Sequence, residues 1–209
     1  MKKLTALILT LILAFVSCCA LADTIEVQPG SPTGCDYSGF KTMFDMFTSA
    51  SNYQFVWDSE KTSEGGYDVY SCTSSDGMLT LKVYVSGGKF SHVVGEGSTV
   101  FTASSMDNAQ KLGEWFGASL AGVVITVYAA EGGNLNESLV NQLQQELQPM
   151  ISVLGSLSDD AVQNGVATTV NVLGYPCGLA VSGTQVGSVG TLKMKIGITG
   201  TDGKIVEVK

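Results

Sequence analysis

YSCTSSDGMLTLKVYVSGGKFSHVV, residues 70 to 94, carries two turn signals between runs of alternating apolar residues, and its register decides the fold. Asp76-Gly77 is a two-residue hairpin signal. With those two residues as the loop, Leu79 falls opposite Ser74, Leu81 opposite Cys72, Val83 opposite Tyr70 and Val85 opposite Asp68. A second turn at Gly87-Gly88 then sets Val85 against Phe90, Val83 against His92 and Leu81 against Val94. Cross-strand partners share a face. One face therefore collects Tyr70, Cys72, Leu79, Leu81, Val83, Val85, Phe90, His92 and Val94 as a core, and the other leaves Ser71, Thr73, Thr80, Lys82, Tyr84 and Ser91 to solvent.

Outward from this meander, helical spacing takes over. Phe40, Met43, Phe44 and Phe47 predict a helix over residues 38–49. Ser104 and Asp107 stand three apart in a capping pattern, ahead of Ala109, Leu112, Phe116, Leu120, Val123 and Val127. The β-branched run 123–127 leaves a change to strand after Gly122 open. Asn136 caps a third helix carrying Leu139, Val140, Leu143, Leu147, Ile151 and Leu154, with a kink or break expected at Pro149. Ser158 opens a short helical turn ending at Gly165. Strands follow over 167–172, 178–182, 191–198 and 205–208, and a Thr201-Asp202-Gly203 loop sets Val206 opposite Ile198 and Val208 opposite Ile196. The class is α+β: antiparallel sheet with helices packed on one face.

Tyr70-Ser71-Cys72, Thr80-Leu81-Lys82 and Gly88-Lys89-Phe90 are echoed by Tyr175-Pro176-Cys177, Thr191-Leu192-Lys193 and Gly203-Lys204-Ile205. The echo suggests two helix-plus-sheet halves, 35–103 and 136–209, joined by a helix over 104–130. Residues 23–34, with Pro29, Gly30 and Pro32, read as a linker.

Residues 1–22 have a basic start at Lys2 and Lys3, an apolar stretch over 4–16 and Ala20-Leu21-Ala22 before Asp23. That is the pattern of a cleavable secretory signal peptide, and its apolar stretch is short for a membrane span. The expected product is a secreted or extracytoplasmic bacterial protein beginning at Asp23. The alternative is a lipoprotein anchored at the cell surface through Cys18 or Cys19.

The chain has a formal charge of −8, and all its basic residues are lysines. Removing Lys2 and Lys3 leaves nine lysines against 19 acidic residues, a charge of −10. Acidity without arginine argues against nucleic acid as partner. No membrane span is expected in the mature chain, where the apolar segment 115–130 reads as a buried helix interrupted by Gly117 and Gly122. Three cysteines follow the leader, with no C-x-x-C pair. A Cys35–Cys72 disulfide is expected, with Cys177 left over; the rival pairing is Cys72 with Cys177.

Catalytic patterns are sparse. His92, alone of its kind, reads as a core histidine, which leaves no histidine cluster for zinc. Neither a metal nor a cofactor is expected. Gly117-Ala118-Ser119-Leu120-Ala121 has nucleophile-elbow spacing, but a helix precedes it and the histidine lies upstream. Asp159-Asp160 suit a helix N-terminus, and Gly95-Glu96-Gly97 reads as a loop. Tyr53, Phe55 and Trp57 alternate, so they share a strand face and form the candidate binding row, for a carbohydrate or protein partner. The expected function is that of an exported, non-enzymatic binding or interaction module. The alternative is a carboxylate-dependent hydrolase such as a glycosidase, with the aromatic row along a sugar cleft.

Overall fold

The computed structural model describes residues 24–102, 107–156, 165–186 and 188–208. The expected leader, the expected Ser104 cap and the Ser158-Asp159-Asp160 segment lie outside them. The elements in chain order are β1 (Thr24–Gln28), α1 (Tyr37–Ala50), β2 (Phe55–Trp57), β3 (Thr62–Glu64), β4 (Tyr67–Ser74), β5 (Leu79–Ser86) and β6 (Lys89–Thr102). They continue with α2 (Asp107–Ala130), α3 (Glu137–Ser156), β7 (Val166–Val172), β8 (Tyr175–Val186), β9 (Val189–Thr199) and β10 (Lys204–Val208). The class is α+β, as the periodicities require.

One antiparallel sheet runs β2-β4-β5-β6-β9-β8-β7, with β3 also on β4. Its backbone is two three-strand meanders joined edge to edge by the β6–β9 pair, from His92↔Thr199 to Thr102↔Val189. Each meander is preceded by a helix, α1 before β4-β5-β6 and α3 before β7-β8-β9. The halves thus merge into a continuous sheet. The sequence echo is out of step by one strand: it matches β4, β5 and β6 to β8, β9 and β10, whereas the topology matches them to β7, β8 and β9.

The first hairpin has the expected register, with Tyr70↔Val83 and Cys72↔Leu81. The second begins as expected at Val85↔Phe90 and then shifts, giving Tyr84↔His92, Val83↔Val93 and Leu81↔Gly95. A β-bulge at Ser91 is the cause: one extra residue reverses every later side chain across the sheet. Val93 takes the core position expected of His92, and Val94 turns to the opposite face. The Gly95-Glu96-Gly97 segment is no loop but the middle of β6, and a Cβ at Gly97 would collide with Leu112 and Phe116 of α2.

The helices cover one face of the sheet. Asp36 caps α1, accepting a hydrogen bond from the Gly39 N–H at 2.8 Å. Phe40 and Phe44 are fully buried and stack on each other, and Phe40 stacks on Phe90. The α2 helix runs unbroken past Gly122, and its length and composition alone would let it cross a membrane. Here Leu112, Trp115, Phe116, Leu120, Val123 and Val127 join the core cluster. Asn136 Oδ1 accepts from the Leu139 N–H at 3.1 Å at the start of α3, and this helix continues through Pro149.

The opposite face is covered only in part. The 23–34 segment, expected as linker, supplies β1, and β1 pairs along its whole length with β10, from Thr24↔Val208 to Gln28↔Lys204. The expected β9–β10 hairpin is therefore not formed; the chain leaves β9 and crosses to a second layer. Ile25, 1% exposed, sits over Gly178 and Gly197, which are cross-strand partners on β8 and β9. Any side chain at those two positions would hold this two-stranded layer off the sheet. Asp202 pins the intervening loop by accepting hydrogen bonds from the Ser31 N–H and hydroxyl at 2.9 and 2.8 Å.

Candidate functional site

The half of that face left open by β1 and β10 forms a groove of about 500 Å³. Two cross-strand rows make its floor. Thr80, Glu96, Lys195 and Ala180 lie side by side on β5, β6, β9 and β8. One step along the same face, Ser98, Lys193 and Ser182 repeat the pattern. Met78 of the β4–β5 turn and Thr24 at the start of β1 close the sides. The Lys195 ammonium stands 3.5 Å from Glu96, and Lys193 is exposed with no ion-pair partner among the described residues. Past this polar floor the same face turns apolar: Val100, Val186 and Val189 are 55%, 80% and 46% exposed. The groove thus offers hydroxyls, two ammonium groups and one carboxylate beside an apolar shelf.

Sequence reasoning placed Thr80 on the solvent face but found none of the rest of this surface. The alternating polar positions Thr191, Lys193 and Lys195 were the available signal. Their pairing with Ser98 and Glu96 spans half the chain, and no local pattern announces it.

The aromatic row is partly buried rather than laid out on an open strand face. Tyr53, Phe55 and Trp57 turn inward, half-buried against the core. Phe55 packs on Phe44 and Trp115, and Tyr53 meets Trp115 edge-on. Trp57 donates its indole N–H to Asp45 Oδ1 at 2.7 Å, while Oδ2 of the same carboxylate holds Lys41 at 2.7 Å. Both oxygens of Asp45, the carboxylate bonded to Trp57, are thus already bonded within the chain.

His92 is buried, but among aromatic rings on the face opposite the expected one. It stacks on Tyr84 at 4.2 Å and meets Tyr67 edge-on at 5.2 Å. Burial lowers its pKa from 6.5 to about 4, against a smaller opposing pull from Glu64. Its Nδ1 is 3.1 Å from the Ser91 hydroxyl. A serine–histidine contact is raw material for nucleophilic catalysis, yet Ser91 has no exposed surface, so no substrate reaches it.

Cys35, Cys72 and Cys177 are buried free thiols, and the expected Cys35–Cys72 bridge is not formed. The carbonyl of Cys35 accepts from Phe90 N–H on β6, whereas Cys72 lies on β4, beyond β5. Strand spacings of about 4.8 Å put the two out of bridging range. Cys72 and Cys177, on β4 and β8, lie farther apart still. Burial raises the Cys35 thiol to about 11 and pushes the other two higher, so none is a ready nucleophile. Among the described residues no cluster of three or more His, Cys, Asp or Glu side chains could hold a metal ion.

Two further polar clusters are fasteners. Glu131, just past α2, accepts from the Gly34 N–H at 3.0 Å and from the Tyr175 hydroxyl, tying the α1 lead-in to β8. Asp76 accepts from Trp115 Nε1 at 2.7 Å and Lys111 Nζ at 2.9 Å, locking the first hairpin to α2. Desolvation works against its ionisation, but hydrogen bonds from Lys111, Ser74, Trp115 and the Met78 N–H prevail and lower its pKa to about 2.

Compared with known proteins, the chain matches no family model, no curated protein and no solved structure.

Proposed function

We propose, from this geometry alone, that the chain is an exported binding module that takes an extended polar ligand, a peptide segment or an oligosaccharide, in the groove across β5, β6, β9 and β8. The observation that carries the reading is the groove itself: a concave surface left open beside the β1–β10 layer, with hydrogen-bonding groups in two regular rows. Its titratable side chains are Glu96, Lys193 and Lys195, a set suited to recognition by charge and hydrogen bonding. A hydrolase needs a nucleophile with its base, or two carboxylates across the scissile bond; neither arrangement lines this groove. The leader over residues 1–22 supports export.

One methionine makes the reading testable. Met78 closes one side of the groove, whereas Met194, between Lys193 and Lys195 on β9, turns to the helix-covered face and joins the core, as does Met150. With methyl-labelled methionine, defined peptides and oligosaccharides that bind should shift the Met78 resonance and leave Met150 unmoved. Ser98→Trp, which fills the floor, should abolish the shifts. Ligands that perturb other methyls, or that bind S98W equally well, would overturn the assignment.

A further inference from the structure

The two edges of the large sheet are built differently. At one end β2 and β3 are three residues each, separated by a break and accompanied by Glu60, Lys61 and Glu64. Short, interrupted, charged edges resist pairing with another chain. At the other end β7, VATTVNV, is seven residues long without a charge, a proline or a bulge. It pairs only with β8, and among the described residues no backbone hydrogen bond reaches it from its outer side.

The sequence around it extends the contrast. Between Asp160 and Lys193 no residue is charged, in a chain whose formal charge is −8. Two copies of this chain repel over most of their surfaces; β7 itself carries no charge, and the Glu146 carboxylate at its end is already engaged by the Leu173 N–H at 2.6 Å. The strand also complements itself. Antiparallel pairing about a twofold axis at its central residue sets Thr169 against Thr169, Thr168 against Val170, Ala167 against Asn171 and Val166 against Val172. Those are mostly β-branched pairs, and threonine opposite threonine is itself a favourable cross-strand pair.

We propose that β7 is a self-association edge: two copies of the chain pair their β7 strands antiparallel about Thr169, joining their sheets into one. The contact is isologous and closed, so it ends at a dimer. β7 borders β8, the last strand of the groove floor, but the pairing uses its outer edge and does not depend on what the groove binds.

Thr169 is exposed in the single chain, so it can be changed without disturbing the core. Sedimentation velocity and native mass spectrometry of the mature chain should show a dimer. Thr169→Lys places two ammonium groups opposite each other on the axis and Thr169→Asp two carboxylates. Each variant alone should weaken dimerisation about tenfold or more, with an unchanged melting profile of the monomer. Mixed one to one, T169K and T169D should recover a heterodimer in preference to either homodimer. A monomeric wild-type chain, a T169K protein that stays dimeric, or a mixture that forms no heterodimer would each overturn the proposal.

Discussion

Thr126 sits in the buried face of α2 with no exposed surface, and among the described residues its hydroxyl finds no hydrogen-bond partner. A buried, unpaired hydroxyl costs more than it returns. Thr126→Val keeps the shape and removes the orphan, so it should raise stability by about 1 kcal/mol in urea denaturation; a loss would show that the hydroxyl is bonded. His92 makes the complementary case through pH. Its folded pKa, about 4, lies below the unfolded value, so the unfolded chain takes up the proton first. The stability it contributes is complete above about pH 6.5 and drains away as pH falls towards 4. His92→Phe keeps a ring against Tyr84 but cannot titrate. Its stability should therefore fall less than that of the wild type across this window, the difference reaching up to about 3 kcal/mol. Equal slopes in the two proteins would place the imidazole in solvent. The sequence made the burial of His92 legible, through its place in an alternating strand, but not the face. A single bulge residue, Ser91, decides that, and nothing about Ser91 distinguishes it from its neighbours.

At the level of elements, helices and hairpins were largely readable because their signals are local. The Asp76-Gly77 turn set its register, and Asn136 marked the start of α3 in advance. Elements whose identity depends on distant partners were not. The β1 strand, in TIEVQ, looked like a polar lead-in because Thr24, Glu26 and Gln28 alternate with only two apolar residues, and its partner β10 lies at the far end of the chain. The site of their docking is equally hidden: Gly178 and Gly197 look like weak points in their strands, yet they are the platform on which Ile25 and Ile205 rest. Gly197→Ala should therefore cost about 1–3 kcal/mol through overpacking. Its signature should be local, with faster amide exchange in residues 24–28 and 204–208 than in β4 or β5. Uniform loss of protection would mean that the two-stranded layer is not separately anchored.

Across the whole molecule, the α+β class followed from two periodicities, whereas the join between the meanders could not be read. The β6–β9 contact belongs to neither half alone. The groove inherits that opacity, since it exists only where strands from both halves lie side by side and β1 stops short of covering them. The pairing of Thr24 with Val208 also imposes an order in time. A chain made from its N-terminus presents β1 first and β10 last, so the opening strand waits, backbone unpaired, through the synthesis of everything between. Until residues 204–208 have been made, Ile25 has no Ile205 beside it and Gly178 and Gly197 stay bare. Closing so long a loop is entropically costly and slow. The two-stranded layer thus closes late, only once both of its strands, far apart in the chain, have been made.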